Sequence, residues 1–548
     1  MADVQSRRID RALRRPDAYP HRAGHIRRIE THISIVYLAG SFAYKRCKPV
    51  NFGFVDFTRP ETRQRACLAS LRLNRRLARA LYVGVVEIVG HAQACRLVAH
   101  RATAQLQPRR GAIVDYALKM RRFRQSDLLS VRVKRGLACR DETDRAAERI
   151  AAFHRRARCC PPDARFGSAA MVCAQLEDVV KALEREAPGA LPDNVARAAC
   201  NQAAALAHHI ERRRIDGFVR ECHGDLHLEN IVRRGRDIAV FDCIEFSDAL
   251  RWIDVTADLA FLTMDLLAHG RGDLATRFVD RWLLESGDYA GMRALSFYVV
   301  YRALVRALVS VLKDRVDGRM QALPAAAKRY LQLAEDLTIP APRFLVLCHG
   351  FSGSGKSFAA ETLAPHLGAI LVSSDIERKR APSPFATPSR TALPAAAYAS
   401  DALDANYLRL AALADALLRS GLPVVVDASF LKRAHRTQFV ELAKRHGIPV
   451  LIADVDAPYS VLVERLRARA LHGGGPSDAD LAVLHRQMIE AQPLDASESS
   501  IRVSIDGSAS RAAMQTATFW QPLLACLDGA RGWLAGRTPP RPAASRSR

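Results

Sequence analysis

The sequence predicts two domains of different kinds: an α+β domain over about residues 25–337, then an α/β domain with a parallel five-stranded sheet over about residues 344–530. Three observations predict this. The chain has 548 residues, enough for more than one core. A helical run, AAAKRYLQLAEDL, gives way at Thr338–Phe344 to two prolines and then an apolar strand, which places a linker at residues 338–343. Beyond the linker, strands and helical segments alternate in the manner of a parallel sheet, whereas before it they do not.

In the first part, strands and turns run to about residue 117 and long Ala/Leu/Arg helices follow, broken by a strand-loop-strand passage at Val219–Phe246. An N-lobe of about 25–117 and a C-lobe of about 118–337 are expected, preceded by a basic segment at 1–24. In the second part the expected strands are Phe344–Cys348, Ala369–Ser373, Pro423–Asp427, Pro449–Val455 and Ile501–Ile505. The final residues, 531–548, are rich in Pro, Arg and Ser and are expected to be disordered.

Composition excludes several classes. With 49% hydrophobic and 25% charged residues the chain is neither fibrous nor largely disordered. The twelve cysteines contain no C-x-x-C pair and read as reduced intracellular thiols; Cys159 and Cys160, although vicinal, carry no evident chemistry. No apolar leader opens the chain, and the most apolar stretch, Ala294–Leu312, is interrupted by Arg302 and Arg306, so a buried helix of a cytoplasmic protein is expected rather than a membrane span. The net charge is +25, but only eleven of the 82 basic residues are lysine and the arginines are dispersed. This is read as compositional bias rather than a nucleic-acid footprint, which would be a patch or stripe.

Gly350-Phe-Ser-Gly-Ser-Gly355-Lys356-Ser357 fits G-x-x-x-x-G-K-[ST] between a strand and a helix. Backbone N–H groups of Gly350, Ser352, Gly353, Ser354 and Gly355 would cradle phosphates at a helix N-terminus, Lys356 would bridge the β- and γ-oxygens, and Ser357 would hold Mg²⁺. Asp427, at the carboxyl edge of a strand, is the second candidate for the metal. Asp375 follows another strand and is a candidate to orient or deprotonate an acceptor hydroxyl, or else a plain helix cap, with Arg378 nearby to neutralise phosphate charge. Arg465, Arg467 and Arg469 precede a Gly-rich hinge and are candidates for a lid or a solvated helix face. This half resembles the P-loop small-molecule kinases, gluconate kinase and zeta-toxin relatives, which are often labelled AAA family ATPases. The resemblance implies transfer of the ATP γ-phosphate to a hydroxyl.

In the first half, His223-Gly-Asp225-Leu-His227-Leu-Glu-Asn230 is followed twelve residues later by Asp242 at the end of a strand. In kinase-type loops an Asp accepts the acceptor's proton, an Asn five residues on holds Mg²⁺, and a strand-borne Asp binds the bridging metal; Asp225, Asn230 and Asp242 have that spacing. His223 and His227 read as braces of the turn. The segment resembles the aminoglycoside phosphotransferase family over about residues 25–335, which implies a protein-kinase-like fold. By that resemblance Thr31–Ser34 forms the turn over the phosphates, and Lys45 is the lysine that grips them, with Lys48 in reserve. One departure is evident: between Glu61 and Glu87 no acidic residue occurs, and Ala69 and Ser70 hold the middle of the helix whose Glu usually pairs with that lysine.

The combination resembles bacterial bifunctional phosphotransferase/ATP-binding proteins. It implies ATP and Mg²⁺ as cofactors and a small-molecule hydroxyl as acceptor, with Asp225, Asp375 and Lys356 as the catalytic groups. Two alternatives stand: the first domain as a nucleotide- or metabolite-binding regulator of an active second kinase, and the second domain as a nucleic-acid end kinase or RNA-linked ATPase.

Overall fold

The computed structural model describes residues 2–31, 33–51, 56–91, 94–99, 112–316, 322–383, 385–389, 391, 393–394, 397, 399–472 and 478–529. The hinge glycines Gly473–Gly475 and the tail at 531–548 lie outside them. The chain divides into two compact units, Met1–Asp265 with Phe297–Ala334, and Leu266–Ser296 with Glu335–Arg548.

The first unit begins with α1 (Ala2–Leu13), where the sequence shows only a basic segment. Its Ile9, Ala12 and Leu13 are buried among Tyr37, Tyr44 and Ile88, so the helix is part of the N-lobe core. There follow β1 (Arg27–Glu30), β2 (Ser34–Ala39), β3 (Phe42–Cys47), α2 (Pro60–Ala78), β4 (Tyr82–His91), β5 (Ala94–Ala99) and β6 (Ile113–Arg121). The six strands form an antiparallel sheet in the order β1-β2-β3-β6-β4-β5. Pro60 opens α2 at its first turn, where the missing N–H costs nothing. Its buried Arg63, together with Arg46 of β3, holds the buried Asp115 of β6, each through a 2.7 Å bond. Three buried charges are thereby paired, which offsets their desolvation.

The C-lobe comprises α3 (Leu129–Lys134), α4 (Arg140–Arg156), α5 (Ala169–Glu186), α6 (Asp193–Ile215), β7 (Val219–Glu221), β8 (Ile231–Arg234), β9 (Asp237–Val240), α7 (Asp248–Arg251), β10 (Trp252–Asp254) and α8 (Val255–Ala268). β7 pairs with β10, and β8 with β9, both antiparallel. The chain then runs through α9 (Gly272–Ser286) and α10 (Met292–Val316) to α11 (Ala325–Asp336). Tyr289–Arg315, which takes in nearly all of α10, is the one helical stretch among the described residues that is long and apolar enough to cross a membrane, and most of it is buried.

The second unit contains β11 (Leu345–His349), α12 (Lys356–Leu367), β12 (Ile370–Ser373), α13 (Ser374–Arg378), α14 (Ser400–Arg419), β13 (Val424–Asp427), α15 (Arg433–His446), β14 (Val450–Asp456), α16 (Tyr459–His472), α17 (Leu481–Glu490), β15 (Arg502–Asp506), α18 (Arg511–Met514) and α19 (Gln521–Gly529). Its five strands are all parallel, in the order β12-β13-β11-β14-β15. β11, β12 and β13 are buried along nearly their whole length, as expected where helices cover both faces. β13 and β14 each begin one residue after a proline, because proline has no N–H to give to the ladder. The carbonyls of Pro423 and Pro449 still accept from Ile370 and Leu345.

α9 packs on α12 and β12 within this second unit. The Asp280 carboxylate accepts the Leu371 N–H at 3.0 Å, Arg380 donates to the carbonyl of Leu284 at 2.9 Å, and the fully buried Trp282 meets Phe385 edge-on. Burial pushes the Asp280 carboxyl up to about 8 from an ordinary 3.8, so the fold prefers it protonated. That contribution is complete below the ordinary value and is lost as pH rises through 8. Asp280→Asn, which stays neutral, is expected to raise the unfolding temperature of the second unit at pH 9 and to leave it unchanged at pH 4, as read by calorimetry at both pH values.

Candidate active sites

The first site forms where β7 and β8 are joined by the loop His223–Asn230. Asn230 Nδ2 donates to the Asp225 carbonyl at 2.9 Å and to its carboxylate at 3.0 Å, and His227 Nε2 lies 3.2 Å from the same carboxylate. Burial pushes the Asp225 carboxyl up, but the charges of His227, Arg306 and His223 outweigh it and hold the group well below its ordinary range. The two loop histidines brace the turn. His223 meets the Phe241 carbonyl through Nε2 at 2.9 Å, and the Glu229 N–H donates to His227 Nδ1 at 3.3 Å.

Asp242 follows β9 with a left-handed backbone, φ +63°, a conformation uncommon outside glycine that aspartate enters more readily than most residues. Here the Asp242 N–H donates to the Tyr82 hydroxyl at 3.1 Å, and the carboxylate forms an ion pair with Lys45 of β3. Lys48 is turned to Glu30 instead. Thr31 and Ser34 close the β1–β2 turn, Thr31 N–H to the Ser34 carbonyl at 2.9 Å and Ser34 N–H to Thr31 Oγ1 at 3.1 Å; His32 lies outside the described residues. Glu61 is exposed at the start of α2, far along the helix from its inner face. The helix instead holds the chain on either side of the loop and strand pair, through Asn74, whose Oδ1 accepts the Cys243 N–H at 2.9 Å, and through Arg76, which donates to the Cys222 carbonyl at 3.1 Å.

Sequence reasoning missed two carboxylates that hold this loop. Asp258 of α8, fully buried, accepts the N–H groups of His223 and Gly224 at 3.0 and 2.9 Å and also meets His154 at 3.1 Å. Asp265, two turns further along the same face, accepts the Leu228 N–H at 2.9 Å and the Tyr330 hydroxyl at 2.8 Å. The available signal was two acids seven residues apart in the otherwise apolar run DLAFLTMDL. Asp258, His154 and Cys222 also have the donor set of a metal site, but both Asp258 oxygens are already engaged by backbone N–H groups. Asp258→Ala strands two buried N–H groups and is expected to destabilise the first unit by about 3–5 kcal/mol, measurable by urea unfolding.

The second site lies at the carboxyl edge of β11, next to β13, the place where parallel sheets receive ligands. Gly350, Gly353 and Gly355 have φ of +145°, +88° and +97°, which turns the loop into a concavity ahead of α12. The Ser352 N–H donates to Gln487 at 2.9 Å. Arg465 donates to the carbonyls of Gly353, Ser354 and Gly507 at 3.2, 3.1 and 2.9 Å, so it braces the loop while lining the cavity beside it. Arg469 lines the adjoining cavity, while Arg467 is exposed.

Lys356 is shared by two cavities. One, of about 380 Å³, is lined by Gly355, Ser357, Arg469 and Arg511; the other, of about 700 Å³, by Ser352, Asp375, Arg378, Tyr407 and Asp427. Asp375 forms a 2.6 Å ion pair with Arg378 one turn along α13, whose cap position is Ser373. Asp427 is buried at the end of β13; Ser373 donates to its Oδ2 at 3.3 Å, and its Oδ1 has no hydrogen-bond partner among the described residues. Burial pushes this carboxyl up, against the pull of the Lys356 ammonium and with the Asp375 charge adding to the push. A buried carboxylate oxygen without a partner, beside a serine hydroxyl and a lysine, fits a divalent cation.

The model of the phosphotransferase enzyme family matches residues 54–295, and that of an AAA domain residues 345–494. Among solved structures, a choline/ethanolamine kinase family protein from Mesorhizobium loti aligns at 15% identity over 61% of this chain and 94% of its own, TM-score 0.38. A gluconokinase from Sinorhizobium meliloti 1021 aligns at 23% identity over 34% of this chain and 93% of its own, TM-score 0.24. The two family-model matches and the all-parallel five-stranded sheet together define a phosphotransferase-family domain followed by a P-loop domain. The chain belongs to the same family as the uncharacterized protein Rv2004c of Mycobacterium tuberculosis and its counterpart Mb2027c in Mycobacterium bovis. It is 31% identical to each over 458 residues, 82% of this chain and 87% of theirs.

Proposed function

We propose that the chain carries two separate ATP sites, each transferring a γ-phosphate to a hydroxyl of a small molecule. The observation that carries this reading is the ion pair of Lys45 with Asp242, residues 197 positions apart, beside a loop in which Asn230 holds Asp225. Nucleotide phosphates are gripped by Lys45 under the Thr31–Ser34 turn. Asp225, kept ionised by its cationic neighbours, accepts the proton of the acceptor hydroxyl. Asn230, through Oδ1, and Asp242 are the residues that would hold Mg²⁺, which when bound neutralises charge on the transferring phosphate.

In the second unit the loop from Gly350 to Gly355 cradles the phosphates, the Ser352 N–H exchanging Gln487 for a phosphate oxygen, and Lys356 reaches the γ-oxygens. Ser357 and Asp427 would hold the metal, and Asp375 orients the acceptor in the larger cavity. The position of Lys356 between two cavities supports a donor on one side and an acceptor on the other.

A regulatory reading of the first unit, binding nucleotide without transfer, is favoured by the lack of any acid on α2 after Glu61. The experiment that separates the readings is γ-phosphate consumption by wild type, Asp225→Ala and Lys356→Ala, with a panel of sugars, aminocyclitols, nucleosides and RNA ends. Loss of a different acceptor-dependent activity in each variant supports two kinases. An effect of Lys356→Ala alone makes the first unit a regulator, and stimulation by RNA ends alone overturns the small-molecule acceptor.

A further inference from the structure

The side chain of Lys45 is only 16% exposed, so its ammonium requires an anion. No carboxylate of α2 provides one, and the anion present is Asp242. Asp242 is also the carboxylate proposed for the metal, and an ammonium and a divalent cation compete for the same oxygens. A second acid lies three residues on.

The segment Asp242–Ser247 is fixed from several sides. The Cys243 N–H is held by Asn74, the Ile244 N–H donates to the His223 carbonyl, and Arg251 donates to the carbonyls of Ile244 and Ser247 at 2.9 and 3.4 Å. Phe246 packs into a cluster formed by Cys47, Phe57 and Ala66 together with Ile33. Cys47 lies two residues beyond Lys45 on β3, so the two side chains share a face of the sheet. With Asp242 on Lys45 and Phe246 on the Cys47 cluster, the intervening Glu245 is carried along the Lys45 end of β3. The two groups act on each other in this placement: burial pushes the Glu245 carboxyl up, and the Lys45 ammonium pulls it back toward the charged form.

We propose that Glu245 is the positioning partner of Lys45, taking over the ammonium when Asp242 turns to the cation, in place of the acid that α2 lacks. The proposal rests on the reading of the first unit as a Mg·ATP site.

The test uses the full chain with Lys356→Ala, which leaves only the first site to bind, titrated with a fluorescent ATP analogue in MgCl₂ and in EDTA. Glu245→Gln is expected to weaken binding about tenfold in Mg²⁺ and less than about twofold in EDTA, where Asp242 remains with Lys45. In a Lys45→Met background the same substitution is expected to add nothing further, since the acid acts through the lysine. Equal losses with and without Mg²⁺, no loss in either, or full additivity with Lys45→Met overturns the assignment; additivity confined to Mg²⁺ would make Glu245 a metal ligand instead. Should Glu245→Gln fail to fold, Glu245→Asp, which keeps the charge on a shorter arm, is read against the same criteria. If the Lys356→Ala chain with native Glu245 binds no nucleotide, the first-site reading itself falls, and the role of Glu245 falls with it.

Discussion

Asp225→Asn is expected to slow phosphoryl transfer at the first site by roughly 10²–10⁴-fold while nucleotide affinity there stays within about twofold. The carboxylate proposed to take the acceptor's proton is held by Asn230 and His227. Asparagine preserves its shape and the loop's packing but cannot take a proton. Lys356→Ala is expected to act in the opposite manner, removing nucleotide binding and turnover at the second site and leaving the first untouched. Initial rates and nucleotide affinities for both variants, each with its own acceptor, check the pair.

Gly507→Ala is expected to weaken nucleotide binding at the second site by tenfold or more without unfolding the protein. An added Cβ at Gly507 would lie 2.2 Å from the Ser354 carbonyl and 2.8 Å from that of Asp456, both backbone atoms that cannot step aside. Relief requires the phosphate loop to move, and displacement of its N–H groups is felt directly at the phosphates. Arg465 spans the same contact, bonding to Gly507 and Ser354 together, so Arg465→Ala is the milder version of the same lesion. Equilibrium titration with an ATP analogue measures both.

Much of the second unit was legible because its signals are local. Strand, phosphate loop and helix follow one another within residues 345–367, and the prolines that delimit strands act on their own backbone. The loop from His223 to Asn230 was legible for the same reason. What escaped depended on distance along the chain. Asp258 and Asp265 act on backbone N–H groups some 35 residues earlier, Arg465 on carbonyls more than 100 residues earlier, and Gly507 on a loop that only the sheet order brings beside it. None of these has a pattern of its own, since an acid in a helix or a glycine after a strand is ordinary until its neighbour is known. The first helix escaped differently: its mean charge conceals that Ile9 and Leu13 lie four residues apart on one face.

The place of Leu266–Ser296 bears on how such a chain can be divided. The segment is continuous with the helix that holds the His223–Asn230 loop, yet it packs into the compact body of the second unit. A break at the prolines Pro340 and Pro342 is therefore not a clean seam. An N-terminal fragment would carry α9 away with Phe278 and Trp282 exposed, two fully buried aromatic side chains, while the C-terminal fragment would be left with an uncovered apolar face on α12 and β12. Cutting the chain at that point yields two adhesive pieces, so each half expressed alone from that boundary is expected to aggregate.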